Sequence, residues 1–567
     1  MPYPIKYIEN NLVWNIEGEC FAYYELIPFN YSFLSLEQKD AVHDAFRQLI
    51  AQNRDGKIHA LQISTESSIR AAQERSKKSV TGRLKEIACA EIDEQTENLV
   101  ASLGDTQVDY RFFLGFKLVV TDKELSVKEM GKTAKNLLHD AANAIGHSFM
   151  GDFVSMPNDE IRRYSRMEKL MENKLSRRFK VRRLDKNDFG YLLEHIYGRT
   201  GTAYEDFEFT LPLKKRKRDT LVKKYDLIKP ARCLIEEKQR YLHMKSENSE
   251  SYVAYFTISD VVGELDFPSS EIFYYQEQQF DFAIDTSMNV EIITNKAALH
   301  TVRNKKKELK DLDNHAWENN SETTNQVAEA LDSVDELESV LDQSKESMYK
   351  LSYVVRVTAP DVEELKRRCN QVRDFYDDAS IKLVRPIGDM MGLHNEFIPA
   401  SKRYMNDYVQ YVTSDFLAGL GFGATQMLGE RDGIYLGYNV DTDQNVYVQP
   451  ARAAQGVKGS VTNALSGAFL GSLGGGKSLS FNLLTYYAVL NGAQALILDP
   501  KSERGLWKEK LPEIADEINI VNLTSDEENK GMLDPYIIMR KTKDAESLAL
   551  DVLTFLTGIS SRDGKLF

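Results

Sequence analysis

The sequence predicts an α/β chain in two parts. Residues 1–428 form a mixed α+β N-terminal region with ferredoxin-like elements, and residues 429–567 open a second domain with a strand–loop–helix–strand unit. Three observations predict this. Apolar runs of strand length alternate with amphipathic helical stretches from Leu12 to Val384. A glycine-rich loop, Gly471-Ser472-Leu473-Gly474-Gly475-Gly476-Lys477-Ser478, follows the short apolar run Ala468 to Leu470 and precedes Leu479, Leu483, Leu484 and Tyr487 at helical spacing. Behind Asn491-Gly492, which stops that helix, a second apolar run from Ala495 to Leu498 ends at Asp499-Pro500.

In the N-terminal region, Leu12 to Ile27 is rich in aromatic and β-branched residues around Gly18, as a hairpin requires. Ser35 and Gln38 form a capping-box start for a helix whose apolar face is Val42, Ala45, Phe46, Leu49 and Ile50. Ile58 to Ile63 returns as a strand. Ser67 to Val100 reads as a polar helix, Tyr110 to Val120 as a buried strand and Val127 to Ile145 as a further helix. Tyr252 to Ile258 and Asn289 to Thr294 read as strands. Lys296 to Lys350 reads as a helical tract broken at Asn319-Asn320-Ser321 into two antiparallel helices with one apolar stripe through Val327, Leu331, Val334, Leu337, Leu341 and Met348. Leu351 to Val357, a helix opened by Thr358 and Asp361, and Ile381 to Val384 then supply a second ferredoxin-like half, expected to complete the first. Such a fold carries no function by itself. Ile434 to Asn439 and Asn445 to Gln449 form a hairpin, Ile518 to Val521 a third strand of the second domain, and Asp544 to Leu556 a helix.

The loop carries the chemistry. Gly471, Gly476, Lys477 and Ser478 satisfy G-x-x-x-x-G-K-[ST], in which glycines let successive backbone N–H groups turn inward around phosphate oxygens. Lys477 supplies a point charge to the β/γ-phosphates, and the Ser478 hydroxyl a ligand for Mg²⁺, at a helix start whose dipole favours anions. A chance match in a chain of 567 residues has a probability of only about 2%. ATP with Mg²⁺ is the expected ligand, and residues 471–478 its phosphate cradle.

Composition sets limits on the rest. The 42% apolar content suffices for ordinary packed cores, and the net charge of −14 argues against wholesale coating of nucleic acid. Cys20, Cys89, Cys233 and Cys369 form no C-x-x-C pair and have no histidine at zinc spacing, which indicates a reducing compartment. No window holds eighteen uninterrupted apolar residues, so membrane contact is expected to be peripheral. Two basic segments run against the overall sign, Arg162 to Arg183 and Lys214-Lys215-Arg216-Lys217-Arg218. Either fits nucleic acid or anionic lipid, and either also fits a solvated helix face or exposed loop.

The long α/β N-terminal region, the loop G-S-L-G-G-G-K-S and the following A-L-I-L-D-P-K-S-E together resemble conjugation or type IV secretion ATPases of the TrbE/CagE class, in particular those of integrative elements of Gram-positive bacteria. The resemblance implies a RecA-like motor of the HerA/FtsK superfamily. Such a motor is hexameric when assembled and sits at the cytoplasmic face of a membrane channel, with channel components and other secretion ATPases as partners. It assigns Lys477 to transition-state charge, and Asp499 and Glu503 to polar organisation on the γ-phosphate side; a strand terminus and helix-cap region is the competing reading for those two. The family's Walker B strand is expected beyond Phe567, so residues 1–567 alone are expected to turn ATP over negligibly. A nucleotide-binding docking scaffold and a DNA pump are the rival functions. Residues before about Gly429 are expected to place the motor, and residues after it to use nucleotide.

Overall fold

The computed structural model of the protein describes residues 3–53, 56–119, 152–198, 204–246, 249–261, 267–318, 325–442, 444–455, 466–522 and 530–558. The helix expected over 127–145 and the break expected at 319–321 lie outside them. Two compact units are present: Met1–Val80 with Cys89–Ala488, and Thr81–Ala88 with Val489–Phe567.

The first half of the first unit runs β1 (Ile5–Glu9), β2 (Leu12–Asn15), β3 (Cys20–Leu26), β4 (Phe29–Asn30), α1 (Leu36–Ala51), β5 (Lys57–Ser68), α2 (Ile69–Ser79), α3 (Lys85–Leu103), β6 (Thr106–Lys117), β7 (Phe153–Pro157), α4 (Asn158–Ser176), β8 (Val181–Arg183), α5 (Lys186–Gly198), β9 (Leu213–Lys215) and β10 (Asp219–Lys223). The second half runs β11 (Leu234–Glu237), β12 (Leu242–Lys245), β13 (Glu250–Val261), α6 (Ile272–Gln279), β14 (Ile284–Ile293), α7 (Asn295–Glu318), α8 (Asn325–Ser344), β15 (Met348–Ala359), α9 (Val362–Asp378) and β16 (Ile381–Val384). After it come β17 (Val409–Val412), β18 (Ala424–Thr425), the hairpin β19 (Ile434–Tyr438) and β20 (Asn445–Val448), and α10 (Lys477–Leu490).

Local sequence explains many of these elements. The Ser35 side chain accepts from the Gln38 N–H at 3.3 Å while the Gln38 side chain accepts from the Ser35 N–H at 2.9 Å, the reciprocal capping box that starts α1. Asp361 caps α9 by accepting from the Glu364 N–H at 2.8 Å. The polar helix expected from Ser67 to Val100 is instead a strand end and two helices, because the chain turns between α2 and α3, where Gly82 adopts a φ of +95°. Helices α7 and α8 are antiparallel, with Arg303 paired to Glu338 at 2.8 Å and Lys306 to Asp335 at 2.7 Å, over a small core of Ala298, Leu299, Val302 and Leu341.

The main sheet has thirteen strands among the described residues, along the path β1-β2-β3-β6-β5-β14-β15-β13-β12-β11, with β8 on β3, β16 on β13 and β17 on β15. The path reads the same from either end if β1 to β6 are exchanged for their counterparts among β11 to β15. Each half holds four strands in the order fourth-first-third-second: β8-β3-β6-β5 in one and β16-β13-β15-β14 in the other. Each also inserts a helical hairpin between its second and third strands, α2–α3 and α7–α8. The sequence expectation of two half-folds completing one another is therefore corrected. Two whole ferredoxin-like units stand side by side, joined where β5 pairs antiparallel with β14 from Thr286↔Gln62 to Glu291↔Lys57.

The join is polar at one end, beyond the Thr286↔Gln62 pair. Arg356, whose side chain has no exposed surface, donates to Asp285 Oδ2 at 2.9 Å and to the carbonyls of His195 and Ile196. Asp285 also accepts from the Ser64 N–H at 2.7 Å and from its hydroxyl at 2.6 Å. The buried pair fixes the register of β14 on β15, where Asp285 faces Arg356, and a one-residue slip of β14 against β5 breaks both bonds from Ser64. Around it the sheet is close-packed. At Gly115 an added Cβ would lie 2.4 Å from the Tyr23 ring, so only hydrogen fits.

Candidate functional site

In the first unit the glycine loop leads directly into α10, which begins at Lys477. Phe469 packs edge-on against Phe481 of the helix, ring centres 5.6 Å apart, and fixes the entry of the loop. Gly474 and Gly476 have φ of +79° and +78°, backbone conformations a side chain disfavours, and a Cβ at either would meet nothing. Glycine is needed there for conformation, with open space left beside the backbone. Gly475 N–H donates to the Ser472 carbonyl at 3.1 Å, closing the turn. The Lys477 ammonium donates to the same carbonyl at 2.6 Å, so the charge is held over its own loop. Gly471 to Gly476, Ser478 and Leu473 are exposed, Leu473 fully.

This geometry fits a phosphate group. The first-turn N–H groups of a helix have no partner within it, the helix dipole adds positive character, and the lysine stands beside them. Gly471 to Ser478 would hold the phosphates of a nucleotide, and Ser478, with its hydroxyl at the helix start, would ligate Mg²⁺. Bound Mg²⁺ would supply charge neutralisation on the phosphate oxygens.

The apolar runs flanking the helix differ from expectation. Ala468 to Leu470, Ala495 to Leu498 and Ile518 to Val521 join no ladder. Leu470 and Leu496 are each 90% exposed and Leu498 83%. Strands of a parallel sheet are held by neighbours on both sides and covered on both faces, and neither condition is met here, so apolar sequence alone does not produce strand. The described residues thus show no RecA-like sheet around the loop. Leu479 and Leu483 of α10 are also largely exposed.

Asp499 and Glu503 belong to the second unit. There the Asp499 carboxylate accepts from the N–H of Arg504 at 2.8 Å and of Lys501 at 3.3 Å, with the Arg504 guanidinium at 3.3 Å. The Arg504 N–H, then these other donors, hold its carboxyl below the usual range. Asp499 so organises the turn 499–504, while Glu503 is exposed 4.0 Å from Lys501. In the same unit Gly492, with φ +99°, ends the helix as its sequence position predicts; a Cβ there would meet the Thr81 carbonyl at 2.5 Å. Helix α11 (Thr542–Thr557) covers the segment expected from Asp544 to Leu556.

Residues 444–567 match the AAA-like domain family. The match supports a P-loop ATPase. An uncharacterized protein of Bacillus subtilis (strain 168), YddE, is 20% identical to the chain over 576 residues, which span 96% of the chain and 67% of that relative. The hairpin β19–β20, whose second strand lies at the start of the matched region, is held within the first unit by Gln444, whose side chain donates to the Val108 carbonyl at 2.9 Å, and by the Asn445 N–H. Sequence reasoning did not find these anchors or Glu277, which holds the preceding segment by accepting from the Gln426 N–H at 2.6 Å. Burial raises the Glu277 carboxyl to about 7. No local pattern in the sequence marks it.

Proposed function

We propose that the protein is the ATP-driven motor component of a conjugative DNA-transfer or type IV secretion apparatus, working as a peripheral protein at the cytoplasmic face of the membrane. The observation that carries the reading is the loop itself: two glycines at positive φ, a lysine over the turn and a helix opening at Lys477, inside a region similar to AAA-like domains. Such a loop positions phosphates and stabilises their developing charge, and it is the recurring part of motors that couple hydrolysis to movement. The N-terminal tandem units offer a large folded surface for docking to channel components. Hexameric assembly, with Asp499 and Glu503 placed toward the γ-phosphate side, belongs to the same proposal.

The test is replacement of Lys477 by Ala at the native locus of a cell carrying the apparatus. Transfer is expected to be lost while protein level is unchanged, and transfer at the normal frequency would refute the motor reading. One observation favours a second reading, a nucleotide-binding docking scaffold without turnover: the apolar runs beside the loop are unpaired and exposed. Steady ATP hydrolysis by the purified native protein, abolished by the same substitution, separates the two.

A further inference from the structure

The two basic segments of the sequence meet in the fold. Strand β10 pairs with β7 from Asp219↔Pro157 to Lys223↔Phe153 and with β9 from Thr220↔Lys215 to Val222↔Leu213, so the turn between β9 and β10 stands where β7 passes into α4. Asn158, the first residue of α4, clamps it. Its N–H donates to the Arg218 carbonyl at 3.0 Å, its side-chain amide to the Arg216 carbonyl at 2.9 Å, and its side-chain oxygen accepts from Thr220 at 2.9 Å. All five cations from Lys214 to Arg218 are exposed.

From that turn the helix continues the charge. Arg162, Arg166, Lys169 and Arg177 are exposed at the spacing of one helical face, with Leu170, 67% exposed, among them. Lys180 is exposed as well, and three more cations of the segment are engaged by neighbouring side chains, Arg178 at the surface and Arg182 and Arg183 half-buried. Arg178 bonds Gln48 and Gln52, Arg182 bonds Glu25 and Asp188, and Arg183 bonds Glu168 and Glu172. Asp159 lies 3.9 Å from Arg162 with both side chains largely in solvent, and Asp219 is engaged by Ser155 at 2.7 Å. The outward set is therefore strongly cationic on a chain whose net charge is −14.

We infer that the β9–β10 turn and the exposed face of α4 bind the anionic phospholipid surface of a membrane. This rests on, and deepens, the peripheral-membrane part of the proposed function. Clusters of four to eight Lys and Arg attract acidic headgroups, and an apolar side chain among them inserts at the interface. Leu170 supplies that apolar contact. Residues 162–177 and 214–218 contain one aromatic, Tyr164, which is buried, and the half-buried Phe153 ring of β7 lies beneath Lys214, so the segments carry no exposed aromatic of their own on which a base could stack. The described residues contain no helix long and apolar enough to cross a membrane, which leaves surface contact as the route they offer.

The experiment is co-sedimentation of the whole chain with vesicles of phosphatidylcholine alone or with about one third phosphatidylglycerol, at low and high salt. Binding is expected only to the acidic vesicles, falling with salt, weakened about 30-fold or more by Lys215→Glu with Lys217→Glu or by Arg166→Glu with Lys169→Glu, and several-fold by Leu170→Ser. Every substituted side chain is exposed, and unchanged thermal melting confirms folding. Equal binding to both vesicle types, or binding to neither, overturns the inference. So does tight retention of duplex DNA by the same residues without vesicle binding, which would assign the surface to nucleic acid. Lys477→Ala is expected to leave vesicle binding unchanged, so loss of lipid binding and failure of the motor reading are told apart.

Discussion

Removing the Lys477 ammonium separates folding from ligand binding. In the ligand-free protein the ammonium makes a 2.6 Å hydrogen bond to the Ser472 carbonyl, on an exposed loop. A solvent-exposed charged hydrogen bond contributes at most about 1 kcal/mol, and no packed volume is removed, so Lys477→Ala is expected to lower the melting temperature by less than ~2 °C. Toward a nucleotide the same ammonium makes charge-assisted bonds to phosphate. These contribute about 1.5–3 kcal/mol, a loss of roughly 10- to 150-fold in affinity. The assay is a pair of measurements on one preparation, a ligand-free thermal melt and a titration with a fluorescent ATP analogue. A fall of more than ~5 °C would show that the lysine holds the loop's structure, and affinity unchanged within about twofold would show that it does not face phosphate. Either result refutes the assignment.

Three further outcomes are expected. Asp285→Ala leaves Arg356 buried without its carboxylate and should cost about 3–5 kcal/mol, read as a lowered urea midpoint; a cost below ~1 kcal/mol would mean that water or a shifted side chain already compensates. Gly115→Ala, with its Cβ 2.4 Å from the Tyr23 ring, should destabilise by about 1–3 kcal/mol, and an unchanged melt would show that the ring moves freely. Glu277 is raised by burial from 4.5 to about 7, so between those values the folded state holds more of this proton than the unfolded state. Stability from this group is then present at low pH and falls as pH rises through about 7, by roughly 3 kcal/mol in all. Melting midpoints from pH 5 to 8 should show that slope, and Glu277→Gln should flatten it while leaving the part due to Glu396, which burial also raises; an identical slope in the variant would refute the assignment.

Much of the fold was legible because it is local. The β2–β3 hairpin, the Ser35 cap, the α7–α8 stripe and the Asp361 cap each depend on residues within a few positions of one another. The tandem arrangement was not legible, because its deciding contact joins Ser64 to Asp285, 221 residues apart, and no local pattern states which strand edge meets which. The phosphate loop was read from eight consecutive residues. Its neighbouring apolar runs have the composition of strands, and composition cannot supply the partners a ladder needs. The basic clusters were visible in the sequence, but not that Asn158 ties one to the other, nor that Arg182 and Arg183 are taken up by Glu25, Asp188 and Glu168.

The pairing of β5 with β14 also sets a schedule for synthesis. The inner edge of β5 stays open until the strand that covers it has been made, about 10–45 s of translation later at ordinary ribosome speeds. During that interval a neighbouring nascent chain on the same messenger can offer its own β14, in the same register and with its own Asp285 to meet Ser64. Two chains that exchange strands in this way would satisfy every hydrogen bond of the join and still be entangled. Strong overexpression should therefore yield a strand-exchanged dimer in proportion to ribosome loading, and slowing initiation should favour the monomer.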